Sequence, residues 1–269
     1  MQTRQRLQWF ARFGSVPATQ GVAVPDTPNV PEFPLIAPLG LGGWLVRFGD
    51  RPDDAANRAA LSFRAAIDAA NWKEVAETAT ALASVFVSFD PMVTAADALR
   101  HKLAMLLAER DWMGQGLPAG RRRWTIPCAF GGASGPALTD VAQQVGLSAD
   151  EAITALTQTP VRVLTLGFAP GQPYLGTLPP EWDIPRQKTL TPMVPAGALV
   201  VAVRQLIVFT ASTPTGWQHI GQTSFGCFRP DSDSAFPLRA GDEVVYRAVS
   251  ATDLPPFGGD GGAICEDLP

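Results

Sequence analysis

Gly167-Phe168-Ala169-Pro170-Gly171-Gln172-Pro173-Tyr174-Leu175-Gly176, followed by Leu178-Pro179-Pro180, is where the chain changes character. From here on glycine and proline recur every few residues, through Pro185, Pro192, Pro195 and Gly197. No helix interior tolerates that density, because proline lacks the amide donor and glycine carries the largest backbone entropy. Short apolar runs lie between the breakers: Ala198-Leu199-Val200-Val201-Ala202-Val203, then Leu206-Ile207-Val208-Phe209, and Glu243-Val244-Val245-Tyr246-Arg247 after the turn at Gly241-Asp242. Many short strands separated by turn signals predict a closed or nearly closed β-barrel.

Upstream the periodicity is different. Gly43 to Gly49 reads as a short strand ended by Gly49-Asp50, and Ala56, Ala59, Ala60, Phe63, Ile67 and Ala70 recur at near-helical spacing over 51–71, with Asp53 or Asp54 as cap. Ala83 to Phe89 alternates with period two and is closed by Asp90-Pro91; a helix over about 94–110 follows. Strand, helix, strand, helix predicts a small α+β sandwich of ferredoxin-like type. Arg123 to Phe130 reads as a strand, 138–144 as a helix, and Ser148-Ala149-Asp150-Glu151 as a capping box opening a second helix before the apolar strand 161–166. The expected organisation is a proline-rich leader over 1–38, an N-terminal α+β domain over 39–115, a β-barrel domain over 116–250 and a mobile tail over 251–269.

Composition narrows the function classes. The chain has 269 residues, 46% of them hydrophobic, enough for a substantial core. The formal net charge is −4 and the pI about 5.2, so no broad basic surface exists for a nucleic-acid backbone. The dense basic run Arg121-Arg122-Arg123 is short; it reads as a solvated strand start or as a small binding patch. Cys128, Cys227 and Cys265 are far apart, with no CxxC spacing, and His101 and His219 are isolated, so no metal site is expected. The absence of a signal-like apolar stretch and of a membrane-span run leads to the expectation of a cytoplasmic protein with no membrane or nucleic-acid partner.

Five stretches then resemble one family in order. Gly167 to Gly176 is similar to GFxPGFPYLGGL. Ile184-Pro185-Arg186 with Val194 to Leu199 is similar to PR…VPAGSV, and Pro214-Thr215-Gly216-Trp217-Gln218-His219-Ile220-Gly221 to SPGGWxxIG. Leu238 to Val244 is similar to LxPGDxVxF, and Ile126 to Ala142 to IPVCYGGxxGPDLxxVA, with Phe89-Asp90-Pro91 matching an upstream FDP. Each alone is weak, since loops favour glycine and proline; together they cover about residues 39–250. The chain is identified as a member of the KipI / 5-oxoprolinase B-subunit (PxpB) / allophanate hydrolase subunit 1 family.

That resemblance implies a ferredoxin-like α+β domain followed by a cyclophilin-like barrel. It implies a subunit of an ATP-dependent 5-oxoprolinase or allophanate hydrolase-type complex acting on a small lactam or amide. The partner is a KipA-like (allophanate hydrolase subunit 2-like) protein, with a third, lactam-binding subunit also in view. No intrinsic cofactor is implied; ATP is used by the complex. The alternative branch is a non-catalytic inhibitor of a histidine kinase. Candidate substrate-binding residues are Phe168, Gly171, Tyr174, Arg186, Gln205, Trp217 and Gly221. Tyr174 and His219 are the candidate catalytic groups, a phenol and an imidazole that could move a proton or polarise a carbonyl. Arg186 could pair bidentately with a carboxylate or form a surface ion pair. Tyr174 could bond substrate or close the barrel end as a lid, and Trp217 reads as a wall. The loop glycines, including Gly197 and Gly216, could present N–H groups to an oxyanion or only form turns. Gln172, Thr177, Thr157, Leu206 and Gln222 depart from the family pattern, and Gln172, Thr157, Leu206 and Gln222 fall in stretches expected to touch a ligand.

Overall fold

In the computed structural model, residues 32–51 and 53–268 are described. The prolines of the expected leader from Pro17 to Pro31 lie outside the described residues. The last part of that leader is a strand: Leu35–Pro38 (β1) pairs antiparallel with Gly43–Arg47 (β2), Leu35 opposite Arg47 and Pro38 opposite Trp44. Helix Asp54–Ala70 (α1), strands Glu77–Ala81 (β3) and Ser84–Ser88 (β4) and helix Ala96–Ala108 (α2) follow. The Asp53 carboxylate accepts from the Ala56 amide at 3.0 Å and so caps α1, while Asn71 ends it in the left-handed region at φ 48°. The stripe of Ala56, Ala59, Ala60, Phe63 and Ile67 is buried against the sheet, where Phe63 meets Phe48 and Trp112 edge-on at centroid distances of 5.5 and 5.0 Å. β4 lies between β2 and β3, giving the order β1-β2-β4-β3.

β3 hands the sheet on to Val161–Leu166 (β6) by pairing Ala81 with Thr165. β6 belongs to a ring that also contains Arg122–Phe130 (β5) and Pro173–Gly176 (β7). Thr191–Val194 (β8) stands outside the ring; Ala198–Ala202 (β9) and Gln205–Val208 (β10) are in it. Thr213–Thr215 (β11) is outside, and Gln218–Gln222 (β12) and Glu243–Ala248 (β13) complete it. The order is β6-β13-β5-β12-β9-β10-β7, and β7 pairs back onto β6, which closes a seven-stranded barrel. The β-barrel and the α+β mixture expected from the sequence are both present.

Alternation explains the two cores. Leu199 and Val201 of β9 and Leu206 and Val208 of β10 point inward with Trp124, Ile126, Ile220 and Tyr246. Ala198, Val200, Ala202 and Ile207 point outward, yet they are buried too, beneath Val194, Phe209 and Trp217. The cover is the separate β8–β11 ribbon. All five residues of β9 are buried for this reason, which is why the strand reads as a continuous apolar run. Helices Leu138–Gln144 (α3) and Ala149–Gln158 (α4) add Leu138, Val141, Ala152 and Leu156 to the barrel core. The expected capping box is formed: the Ser148 hydroxyl accepts from the Glu151 amide and the Glu151 carboxylate accepts from the Ser148 amide.

The expected tail contains a strand. Ile264–Asp267 (β14) pairs antiparallel with β5, Cys265 opposite Trp124 and Glu266 opposite Arg123. Gly261 packs so closely that a Cβ there would lie 2.4 Å from the Ser224 carbonyl carbon. The glycine pairs are close-packing and turn positions, and the edge of β5 supplies the ladder that holds the tail. No helix among the described residues is long and apolar enough to cross a membrane.

Candidate functional site

The β8–β11 ribbon and the loop before it assemble an aromatic and cationic cluster on the barrel's outer face. Trp217, 6% exposed, follows the turn in which its amide donates to Thr215 Oγ1 at 3.0 Å. Its ring meets Tyr174 of β7 edge-on, with centroids 6.3 Å apart at 74°. The exposed Arg186 guanidinium lies over the same indole, 5.1 Å from its centroid. Gly216 makes that approach possible: the Gln187 amide donates to its carbonyl at 2.7 Å, and a Cβ would stand 3.3 Å from the Gln187 carbonyl oxygen. Gln205 lies two residues before Ile207 on β10 and shares its outward face. His219 lies opposite Val200 and is on that face as well.

The structure therefore gathers Tyr174, Arg186 and Trp217, with Gln205 and His219 on the same side of the sheet. It does not bring the other candidates into the cluster. Phe168 is 80% exposed with φ 71° in the β6–β7 loop, a backbone state that bulky residues rarely adopt. Gly171 of that loop, at φ 70°, lies against Cys227, where a Cβ would be 2.2 Å from the carbonyl oxygen. A Cβ on Gly221 would be 2.7 Å from Cys128 Sγ. These glycines permit close packing. The Gly197 amide is also committed, donating to Phe209 O at 2.7 Å, so it offers no donor to an oxyanion.

His219 is buried, and its Nε2–H donates to the Gly221 carbonyl at 3.0 Å. Burial holds its pKa below the ordinary imidazole value, so the ring is neutral at neutral pH. Burial pushes the Cys227 thiol up to about 12 and the Cys128 thiol higher still, so neither is a thiolate nucleophile. Among the described residues no group of three or more His, Cys, Asp or Glu could hold a metal ion.

Of the five divergent positions, Gln172 and Leu206 are buried, Thr157 and Gln222 half-buried and Thr177 exposed. Gln172 is 1% exposed with its Oε1 unpartnered, and Gln222 donates to the Ala196 and Thr223 carbonyls at 2.7 and 3.0 Å. Leu206 is in the barrel core, and the Thr157 hydroxyl donates back to Ile153 O at 2.9 Å within α4. Sequence reasoning missed Arg229, which lies over Phe225 at 5.0 Å, pairs with Asp260 and leaves Nη2 unpartnered. It also missed the stacked Phe228–Phe236 pair, centroids 5.2 Å apart. The stretch 226–237 has no periodicity that could have flagged them.

A family model described as carboxyltransferase domain, subdomain C and D, matches residues 34–238. The chain belongs to this carboxyltransferase-domain family. Among curated members, the 5-oxoprolinase B-subunit of Bacillus subtilis (strain 168) is 32% identical over 232 residues, covering 82% of this chain and 95% of that protein. The 5-oxoprolinase B-subunit of Escherichia coli O157:H7 is 42% identical over 121 residues, covering 45% and 56%. Among solved structures, TTHA0988 is 29% identical with a TM-score of 0.65 and covers 80% of this chain. This carboxyltransferase-domain chain spans 41% of the TTHA0988 chain, less than half its length. The Kluyveromyces lactis urea carboxylase, 16% identical with a TM-score of 0.57, covers 79% of this chain and 21% of its own, and shares the fold.

Proposed function

We propose that the chain is one subunit of an ATP-dependent complex that acts on a small lactam or amide, 5-oxoproline first among them, together with a KipA-like second subunit. The observation that carries this reading is the similarity to a 5-oxoprolinase B-subunit over 95% of that protein's length. The unit β1-β2-α1-β3-β4-α2 is then the ferredoxin-like part, with β1 filling the edge position, and the ring is the cyclophilin-like barrel. ATP is consumed by the assembled complex, and no residue of this chain is assigned to it.

The outer-face cluster supplies chemistry suited to such a substrate. Arg186 presents a planar fork of donors that matches a carboxylate, and the Trp217 and Tyr174 rings give a flat ring a wall to stack on. The Tyr174 hydroxyl and the Gln205 amide complete the set, one to donate to a carbonyl and the other to orient the amide. His219, whose Nε2 is held by Gly221, positions β12 and does not carry the proton. Phe168 and Gly171 form the neighbouring loop rim, and Gly221 is a packing position against Cys128.

The apolar tip of the N-terminal unit is the proposed contact for the second subunit. Leu41 is 90%, Met92 88% and Val93 81% exposed. Their two loops are joined by the Phe89 amide donating to Gly42 O at 2.9 Å. Exposed apolar patches of this kind mark interaction surfaces. The site is tested by steady-state kinetics of the reconstituted complex. Arg186→Ala is expected to raise KM for 5-oxoproline at least about tenfold, the loss of one charge-assisted pair, with Arg186→Lys in between. An unchanged KM in a folded Arg186→Ala complex removes the cluster as the substrate site.

A further inference from the structure

Outside that cluster, one row of charged side chains crosses the barrel wall. Gly176 of β7 is opposite Arg162 of β6, Arg162 opposite Glu243 of β13, Glu243 opposite Arg123 of β5, and Arg123 opposite Glu266 of β14. Their neighbours Val161, Val163, Trp124 and Val244 belong to the barrel core, so the row faces outward. Glu243 accepts from Arg123 Nε at 2.6 Å, and Arg123 Nη1 reaches Glu266 at 3.9 Å. Arg162 donates to Asp54 at 2.8 Å and to Asn57 at 3.2 Å, and Asp54 also pairs with Arg58. The row ends at Gly176, which adds no side chain. There a cavity of about 140 Å³ opens, lined by Asp54, Arg121, Arg162, Thr177, Glu243 and the backbone at Pro160 and Gly176.

The charged groups lining this cavity are two guanidinium groups, Arg121 and Arg162, and two carboxylates, Asp54 and Glu243. Both lining carboxylates are already engaged, Asp54 by Arg58 and Arg162 and Glu243 by Arg123. Arg121 lines the cavity and has no side-chain partner among the described residues, while its backbone is fixed by the Leu268 amide donating to its carbonyl at 2.8 Å. With the partners that stand outside the lining, Arg58, Arg123 and Glu266, the connected set holds four guanidinium groups and three carboxylates, and Arg121 is the member left without an ion pair among the described residues. A half-enclosed polar space with one uncompensated guanidinium favours a compact anion with two oxygens in one plane. Burial also holds the Arg162 pKa down, as expected of a guanidinium withdrawn from water at the cavity wall.

We propose that this cavity is a second ligand site, separate from the outer-face cluster, that takes a small monocarboxylate. Arg121 binds the carboxylate fork, Thr177 donates its hydroxyl, and the Arg162–Asp54 pair fixes the wall. The room exceeds that of a single water and suits a ligand of a few heavy atoms. Because its residues come from α1, the β5 lead-in, β6, β7 and β13, occupancy ties the N-terminal unit to the barrel.

The test is titration of the full chain with acetate at constant ionic strength, using sodium chloride as the matched control. The readout is the arginine Nε–Hε NMR signals, together with isothermal calorimetry. Saturable acetate binding that chloride does not reproduce, weakened at least about tenfold in Arg121→Ala and unchanged in Arg100→Ala, an exposed arginine of α2 outside both sites, is expected. Thr177→Val, which leaves every ion pair in place, is expected to weaken binding by a smaller factor. Absence of saturable acetate binding to the folded wild type overturns the proposal, as does equal binding by Arg121→Ala. Loss of binding in Arg186→Ala alone also overturns it, by assigning the anion to the outer-face cluster and leaving the function proposed above intact.

Discussion

Asp242→Ala removes the most connected buried carboxylate of the barrel. Asp242 is 3% exposed and lies in the turn that opens β13. Its oxygens accept from Arg122 Nε at 3.2 Å, Arg122 Nη2 at 2.5 Å, Trp124 Nε1 at 3.3 Å and the Arg239 amide at 2.9 Å. Alanine leaves the Arg122 guanidinium, only 17% exposed, without its counter-charge. It also strands an indole N–H and a backbone N–H. Breaking a buried pair by deleting one partner costs about 3–5 kcal/mol. At roughly 2–4 °C per kcal/mol for a chain of this size, the apparent Tm should fall by roughly 6–20 °C. Differential scanning calorimetry measures it, with Asp242→Asn as the isosteric control that keeps an acceptor and should lose less. Replacing both partners, Arg122→Met with Asp242→Leu, should recover most of the loss, because no charge is then left buried. A fall under about 2 °C in Asp242→Ala would falsify the view that this aspartate holds the barrel seam rather than facing a ligand.

Other outcomes follow from the same geometry. Gly171→Ala forces a Cβ to within 2.2 Å of the Cys227 carbonyl at φ 70°, so a loss of about 1–3 kcal/mol in urea unfolding is expected; a neutral variant contradicts the packing role. His219 has its folded pKa lowered by burial, so the unfolded state takes up the proton first and stability is lost as pH falls below the ordinary value of about 6.5. His219→Gln should flatten that acid limb, and an unchanged slope between pH 7 and pH 5 speaks against it. All three thiols have raised pKa values, but Cys265 is exposed while Cys128 and Cys227 are buried, so one thiol should react with an aromatic disulfide reagent in the native chain at alkaline pH and three after unfolding. Leu41→Asp with Met92→Asp should abolish co-purification with the second subunit while leaving the Tm of the isolated chain within a few degrees; retained co-purification moves the interface elsewhere.

Elements with their own local signal were legible. The capped stripe of α1, the Ser148 box and the alternation of β4 each carry their cause within a few residues. β3 was not legible, because Glu77-Thr78-Ala79-Thr80-Ala81 pairs small polar residues with alanine, and its strand character comes from lying between β4 and β6. β14 has four exposed residues and no apolar face; only the open edge of β5 makes it a strand. The site was legible in part, since Trp217, Arg186 and Tyr174 stand in recognisable motifs and meet in space. Gln172 reads as a polar change beside a ligand, but it is turned inside, a distinction that depends on the loop path over Cys227. The Gly176-Arg162-Glu243-Arg123-Glu266 row is invisible in the linear chain, because its members come from five strands and only register aligns them.

The proposed role makes this chain a required subunit of an ATP-dependent lactam-opening complex. The most direct measurement is ATP-dependent formation of glutamate from 5-oxoproline by the purified KipA-like and lactam-binding subunits, with and without this chain. Turnover is expected only when all subunits are present, coupled to ATP hydrolysis. Equal turnover without the chain, or none from a well-folded complete complex, contradicts it.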